Sequence, residues 1–222
     1  MTRIIIIILV TLSFLFSSDL FADTNQSVLS PFAVWRLSLQ SRGLDYHVLK
    51  LGLDAYAKLH AEGYDRQQIL TIIDYSKPST EPRLWVIDLK NKEVNFDTLV
   101  AHGQNSGWNI PTSFSDSPRS LESSIGVYLT GDAFIGKHGE ALHLNGLERG
   151  YNDLAAARAI EIHAADYVSE EFARMHGRLG RSWGCMAVNP AVATPLINEI
   201  KDGTVLLAYY PDHNWLEHST YL

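Results

Sequence analysis

The sequence predicts a mostly β domain of the α+β class, folded as a barrel or a sandwich, with two N-terminal helices packed on it. Short β-branched, apolar segments separated by turn residues recur from residue 68 onward. Upstream of them, apolar residues repeat at helical spacing. The chain has 222 residues without an internal repeat or an interdomain linker, which suits one domain with a small helical appendage.

Each element follows from its local pattern. The two N-terminal helices are predicted over 31–40 and 46–60, and Gly63 favours an end to the second. Strands are predicted over 69–75, 84–89, 94–101, 124–130, 141–144, 159–164 and 204–210. Further helices are predicted over 152–158 and 191–201. The segment 103–124 is rich in Ser, Asn, Pro and Gly, and we expect a long loop of the kind that often carries function.

The first residues are predicted to form a secretory signal peptide. Arg3 precedes an apolar run over 4–16, and small residues follow as far as Ala22. The run is shorter than the roughly 20 residues of a membrane-spanning helix, which favours cleavage after Ala22 over an uncleaved anchor. We therefore divide the chain into a signal peptide over 1–22, a helical segment over 23–67 and a β-rich domain over 68–222, and expect export.

Composition excludes two broad classes of function. Apolar residues make up 46% of the chain and charged residues 19%, which excludes intrinsic disorder. The net charge is −7 and no dense Lys/Arg run is present, which argues against nucleic-acid binding. An acidic protein still binds an anionic polymer where its cleft is locally basic.

The single cysteine, Cys185, is the main candidate for chemistry. No intramolecular disulfide is possible, and a lone thiol in an exported protein is either buried and inert or present for its reactivity. It ends the segment GRLGRSWGC over 177–185, whose glycines allow a sharp turn. Backbone N–H groups near Gly184 are predicted to hold an oxyanion, and Arg178 and Arg181 to favour the nucleophilic thiolate.

A thiol nucleophile needs a base, and nine histidines are available. His163 lies on the polar face of the predicted strand over 159–164, where a general base and a hydrogen-bonded sheet histidine are equally consistent with the spacing. His176 is the second choice because it is near the thiol in sequence. His102 opens the long loop and is expected to shape the site or to touch substrate. The pairs His138/His143 and His213/His218 have a five-residue spacing but no accompanying partner motif, so no metal or organic cofactor is expected.

These residues resemble the murein L,D-transpeptidase catalytic domain family. The likeness begins with RSWGC at 181–185, preceded by a histidine in a strand. It continues in HGQNSG at 102–107, FS at 114–115, SSIGVY at 123–128, GKHG at 136–139, LNGLE at 144–148 and IHAADYV at 162–168. It covers roughly 68–210, with Trp183 where the commoner signature has histidine.

The resemblance implies a β-rich, barrel-like fold and a periplasmic enzyme that acts on peptidoglycan tetrapeptide stems. Cys185 would attack the carbonyl at the L-centre of diaminopimelate, with His163 as base, and release D-alanine. The thioester would then pass to the amine of a second stem, giving a 3–3 cross-link. Ser182 and Gly184 would shape the nucleophile turn, Arg181 would help to hold an anionic peptide group, and Trp183 would belong to the oxyanion- and substrate-binding residues.

Two other functions stay open. Water in place of the second stem would make the protein an L,D-carboxypeptidase or endopeptidase that trims the same stems. An inert, buried Cys185 would indicate a non-catalytic wall-binding module. Nucleic acid and stable membrane insertion after signal cleavage are not expected among its partners.

Overall fold

The computed structural model describes residues 43–137 and 139–222. The predicted signal peptide and the predicted helix over 31–40 lie outside the described residues. Within the described ranges the strands are β1 (Ile69–Asp74), β2 (Leu84–Asp88), β3 (Glu93–Thr98), β4 (Gly126–Gly136), β5 (Gly139–Gly146), β6 (Glu161–Ala164), β7 (Met186–Val188) and β8 (Val205–Tyr209). The helices there are α1 (Tyr46–Ala61), α2 (Glu170–His176), α3 (Pro190–Ile200) and α4 (His213–His218).

The strands form one sheet that is curled into a nearly closed barrel, so the barrel prediction is confirmed over the sandwich. The strand order is β3-β2-β1-β8-β4-β5-β6-β7. Strands β1 and β8 pair in parallel, as do β6 and β7, and the other neighbours are antiparallel. Beyond β3, a bridge joins Val100 to Val188 of β7, and Ala101 N–H donates to Ala187 O at 2.8 Å. This bridge brings the two ends of the sheet together.

Helix α1 packs on the barrel as part of its core. Asp45 caps it by accepting a hydrogen bond from His47 N–H at 2.7 Å. Its buried face contacts β1 and β8. A Cβ atom at Gly52 would lie 2.7 Å from Cδ1 of Ile72, so glycine allows the close approach of helix and sheet. Among the described residues, the structure contains no helix that is both apolar and long enough to cross a membrane.

The structure confirms every predicted strand, with shifted ends, and the helices predicted over 46–60 and 191–201. The helix predicted over 152–158 is wrong, because this segment forms turns. Ala155 N–H donates to Asn152 O at 2.9 Å and Arg158 N–H donates to Ala155 O at 3.2 Å, both across three residues. The segment therefore forms successive turns and not a continuous α-helix.

Candidate active site

The nucleophile turn, residues 181–185, presents the cysteine at the start of β7. Ser182 Oγ accepts a hydrogen bond from Gly184 N–H at 3.1 Å and donates one to Cys185 O at 2.7 Å. Gly184 has a φ of 124°, and a Cβ atom there would lie 2.7 Å from the carbonyl oxygen of Glu122. Glycine is therefore required at this position for both the backbone conformation and the space.

Sheet register places Cys185 and His163 on one face of the barrel wall. Strands β6 and β7 are parallel, with His163 opposite Ala187 and Ile162 opposite Met186. Opposed residues point to the same face, and so do residues two apart in a strand. Cys185 lies directly before β7 and two residues before Ala187, and continuing the alternation of β7 by one residue assigns it to the face of His163. The short strand β7 thus aligns the predicted nucleophile with the predicted base.

The thiol of Cys185 lies among polar groups at the end of the nucleophile turn. Cys185 Sγ donates to the carbonyl oxygen of Ala159 at 3.4 Å. Burial raises the pKa of the Cys185 thiol above its usual value, and the Glu161 carboxylate adds to the increase. A hydrogen bond from Glu161 N–H and the positive charge of Arg158 oppose it and lower the pKa. The group is therefore a protonated thiol at neutral pH and needs a base to become the nucleophile.

His163 has the tautomer that suits a base. Its ring is 8% exposed, and Nδ1 lies 2.8 Å from the carbonyl oxygen of Ala164. A carbonyl oxygen only accepts, so Nδ1 carries the hydrogen and Nε2 carries the lone pair. The same hydrogen bond fixes the plane of the ring. A proton acceptor is thereby held on the face that carries the thiol.

Arg158, which the sequence analysis did not single out, fixes the loop behind the nucleophile turn. Its side chain is only 3% exposed, and its guanidinium donates to Ser115 O at 2.6 Å and Glu122 O at 2.7 Å. Asp116 lies 3.5 Å away as a buried ion-pair partner. Further donations go to the hydroxyls of Ser120 and Ser124. Glu122 O packs against Gly184, so Arg158, by donating to this oxygen, fixes the backbone on which the nucleophile turn rests.

His102 is a structural part of the same wall. It is fully buried, and Nδ1 accepts a hydrogen bond from Arg83 Nη2 at 2.8 Å. Burial, with the charge of Arg83 as the next cause, lowers the pKa of His102 to about 3, so the ring stays neutral. His102 O accepts from Ser182 N–H at 3.0 Å. Of the two predicted roles, its burial agrees with shaping the site and not with touching substrate.

The other predicted site residues lie on the outer side of the turn. Arg181 Nη1 donates to the carbonyl oxygens of Gln104 and Gly107, both at 2.9 Å, and so ties the long loop to the turn. Trp183 is 76% exposed beside the thiol. His176, the second choice for the base, lies at the exposed end of α2, with its ring packed at a tilt of 39° against Phe172. His163 is therefore the better placed histidine.

A pocket of about 340 Å³ lies beside residues that contact the thiol, and neither Cys185 nor His163 is part of its lining. Ala159 and Glu161, both of which contact Cys185, belong to its wall. The remaining wall is made by Gly131, Asp132, His143, Leu144, Asn145, Ala156 and Ile160. His143 Nδ1 and Asp132 Oδ1 in this wall are hydrogen-bonded at 3.1 Å. Among the described residues no cluster of three or more His, Cys, Asp or Glu side chains is placed to bind a metal ion.

A thiol, a histidine held as a base and an adjoining pocket define a candidate cysteine acyl-transfer site. The profile of the L,D-transpeptidase catalytic domain family matches residues 40–209. This span is most of the chain, and the protein therefore belongs to that family. No individual curated protein matches the sequence.

Several solved structures of L,D-transpeptidases are similar to the chain. One from Mycobacterium smegmatis has 11% identity and a TM-score of 0.41, with 64% of this chain and 59% of that chain covered. One from Stackebrandtia nassauensis has 11% identity and a TM-score of 0.40, with 80% and 76% covered. One from Xylanimonas cellulosilytica has 15% identity and a TM-score of 0.37, with 79% and 78% covered. The chain thus spans less than two thirds of the mycobacterial structure.

Proposed function

We propose that the protein is a peptidoglycan L,D-transpeptidase that uses Cys185 as nucleophile and His163 as general base. The observation that supports the proposal is the register of β6 and β7, which pairs His163 with Ala187, two residues after Cys185. Family membership supplies the class of reaction, and the pocket beside the thiol offers room for a peptide. The partly exposed thiol disagrees with an inert buried cysteine, which argues against a non-catalytic wall-binding module.

The first half of the reaction acylates the enzyme. His163 Nε2 takes the proton of the Cys185 thiol as Sγ attacks the carbonyl carbon at the L-centre of diaminopimelate. The oxyanion that forms needs N–H donors. Gly184 N–H is already donated to Ser182 Oγ, so this amide contributes to the turn and not to the oxyanion. We assign this role to the N–H groups of Cys185 and Glu161, which lower the pKa of the neighbouring thiol.

Collapse of the tetrahedral intermediate breaks the C–N bond to D-alanine and leaves a thioester on Cys185. The His163 imidazolium gives its proton to the departing amine. In the second half, the amine of another stem attacks the thioester carbon, His163 accepts its proton, and Sγ leaves as the thiol once that proton returns. The product is a 3–3 cross-link. With water as the acceptor the product is a trimmed tripeptide stem.

Product masses test this proposal. Purified disaccharide-tetrapeptide is incubated with the reduced wild-type protein and with Cys185→Ala, and the muropeptides are analysed by mass spectrometry. We expect wild type to form cross-linked dimers with loss of D-alanine and Cys185→Ala to form none. Trimmed monomers without dimers would make water the acceptor. Unchanged tetrapeptide with the wild-type protein would refute an L,D-transpeptidase function.

We also propose that the protein is exported to the periplasm after cleavage following Ala22. The apolar run over 4–16 with Arg3 before it supports this proposal. Cell fractionation followed by N-terminal sequencing tests it. We expect periplasmic protein that begins at Asp23, and protein that keeps residues 1–22 in the cytoplasm would contradict export.

A further inference from the structure

Two arginine side chains place their guanidinium groups over the ring of one exposed tryptophan on the outer side of the nucleophile turn. The guanidinium carbon of Arg178 lies 4.1 Å from the ring centroid of Trp108, and that of Arg181 lies 4.9 Å from it. The Trp108 side chain is 61% exposed, so the ring contributes little to the core. We call Trp108, Arg178 and Arg181 the arginine–tryptophan cluster.

The cluster carries positive charge that no described carboxylate neutralises. Within the described ranges, no ion pair joins Arg178 or Arg181 to an Asp or Glu side chain. Arg178 donates to Leu179 O through Nη1, and its buried Nε has no acceptor in the part of the chain that the structure describes. Burial, and then the charge of Arg181, lower the pKa of Arg178. A bound anion would relieve the repulsion between the two guanidinium groups.

The cluster is held in place before any ligand arrives. Ser79, which is 1% exposed, donates through N–H to Asn109 O and through Oγ to Asn109 Oδ1, both at 2.8 Å. The same hydroxyl accepts from Leu179 N–H at 3.0 Å. One buried serine thus fixes the neighbours of both Trp108 and Arg178. Preorganised donors bind an anion without the cost of ordering flexible side chains.

The cluster also lies within reach of the reacting bond. Arg181 precedes Cys185 by four residues, so their Cα atoms are at most about 14 Å apart. A peptide of a few residues bridges that distance. The guanidinium group of arginine binds a carboxylate through two parallel hydrogen bonds, and stacking on an aromatic ring keeps the guanidinium plane oriented.

We propose that the arginine–tryptophan cluster is a carboxylate-binding subsite that holds the peptide substrate by an anionic group near the scissile bond. The inference rests on the proposed function, since it names what else the same site recognises. Of the carboxylates on a tetrapeptide stem, two belong to the residues that the scissile bond joins: the C-terminal one of D-alanine and the one at the D-centre of diaminopimelate. Arg178 is the more diagnostic arginine, because Arg181 also ties two loop carbonyls.

Peptide binding without turnover tests the subsite. The dissociation constant of the tetrapeptide is measured by calorimetry with Cys185→Ala protein, and then with Arg178→Gln added. Arg174→Gln is the matched control, because Arg174 lies exposed on α2, with a Glu170 oxygen 3.8 Å away. We expect Arg178→Gln to weaken binding about ten-fold and the control to leave it unchanged. Added salt should weaken binding to the unmodified cluster more than to the variant.

Amidated peptides identify the carboxylate and do not depend on how the variant folds. One peptide has a C-terminal amide, and another has an amide at the D-centre of diaminopimelate. We expect one of the two to bind about ten-fold more weakly than the parent peptide and to be insensitive to Arg178→Gln. Equal binding of all three peptides, or an Arg178→Gln affinity equal to that of Arg174→Gln, would overturn the subsite alone. Absence of binding by any of the peptides would overturn the proposed function together with it.

Discussion

Replacing Arg158 by glutamine should damage both the stability of the fold and the ionisation of the thiol. The guanidinium is 3% exposed and donates to two carbonyl oxygens, Ser115 O and Glu122 O, which a glutamine side chain is too short to reach together. A buried group left without its partner costs about 1–3 kcal/mol. Asp116 also loses its ion-pair partner, and breaking a buried pair costs about 3–5 kcal/mol in total. We expect the free energy of unfolding to fall by about 3–5 kcal/mol, out of the roughly 5–15 kcal/mol typical of a domain.

The same substitution should change the reactivity of Cys185. Arg158 lowers the pKa of the thiol, so its loss raises that pKa further. Less thiolate is then present at any fixed pH, and the alkylation rate falls while the midpoint of its pH profile moves upward. Arg158→Lys separates the causes, because it keeps the charge and loses the forked hydrogen bonds. Arg158→Lys should lower the free energy of unfolding but should shift the midpoint of the alkylation pH profile less than Arg158→Gln does.

Urea unfolding and iodoacetamide alkylation followed by mass spectrometry measure the two effects. Arg149→Gln serves as the control, because Arg149 is an exposed arginine in the same part of the chain. We expect the control to stay within about 0.5 kcal/mol of wild type and to keep the alkylation profile. An Arg158→Gln protein with a loss below about 1 kcal/mol and an unchanged profile would refute the role given to Arg158.

Three further results follow from the site. Gly184→Ala should lower the free energy of unfolding by at least about 1–3 kcal/mol because of the positive φ, and by more because of contact with Glu122 O. Urea unfolding measures this loss, and wild-type stability would contradict the account of the turn. His163→Gln should lower kcat/KM about 10²–10⁴-fold while Cys185 still alkylates at high pH, and unchanged turnover would exclude His163 as the base. The wild-type alkylation rate should rise with pH through a midpoint above the usual thiol value of about 8.5, because burial raises the Cys185 pKa; a midpoint below that value would contradict the environment described.

The sequence was most informative where burial imposes a pattern. Both faces of β1 and β8 are buried, and their apolar, β-branched runs predicted them well. Strand β7 was missed because it has three residues, Met186–Val188, too few for a periodicity to show. Helices α2 and α4 are also short, seven and six residues, and rely on the caps Ser169 and Asp212. The false helix over 152–158 arose because apolar spacing does not distinguish successive turns, with hydrogen bonds across three residues, from an α-helix.

The candidate site was only partly accessible to sequence reasoning. Cys185 is unique in the chain, and His163 sits in a strand whose alternation sets its face. The choice between a base and a structural histidine depended on which strand pairs with β7, a long-range contact that spacing does not encode. Arg158 precedes a strand as an ordinary arginine, and only its buried partners reveal its role. The same holds for Trp108, which becomes informative once two arginines lie on its ring.

The most direct test of the central claim is the mass of the peptide that contains Cys185, measured during the first turnover of the protein. Reduced protein without residues 1–22 is mixed with tetrapeptide stem, quenched within seconds and digested. We predict an acyl adduct of the stem minus D-alanine on the peptide that contains Cys185, formed more slowly in His163→Gln. Cross-linked or trimmed products without an adduct on Cys185, or turnover retained by Cys185→Ala, would contradict the assignment of the nucleophile.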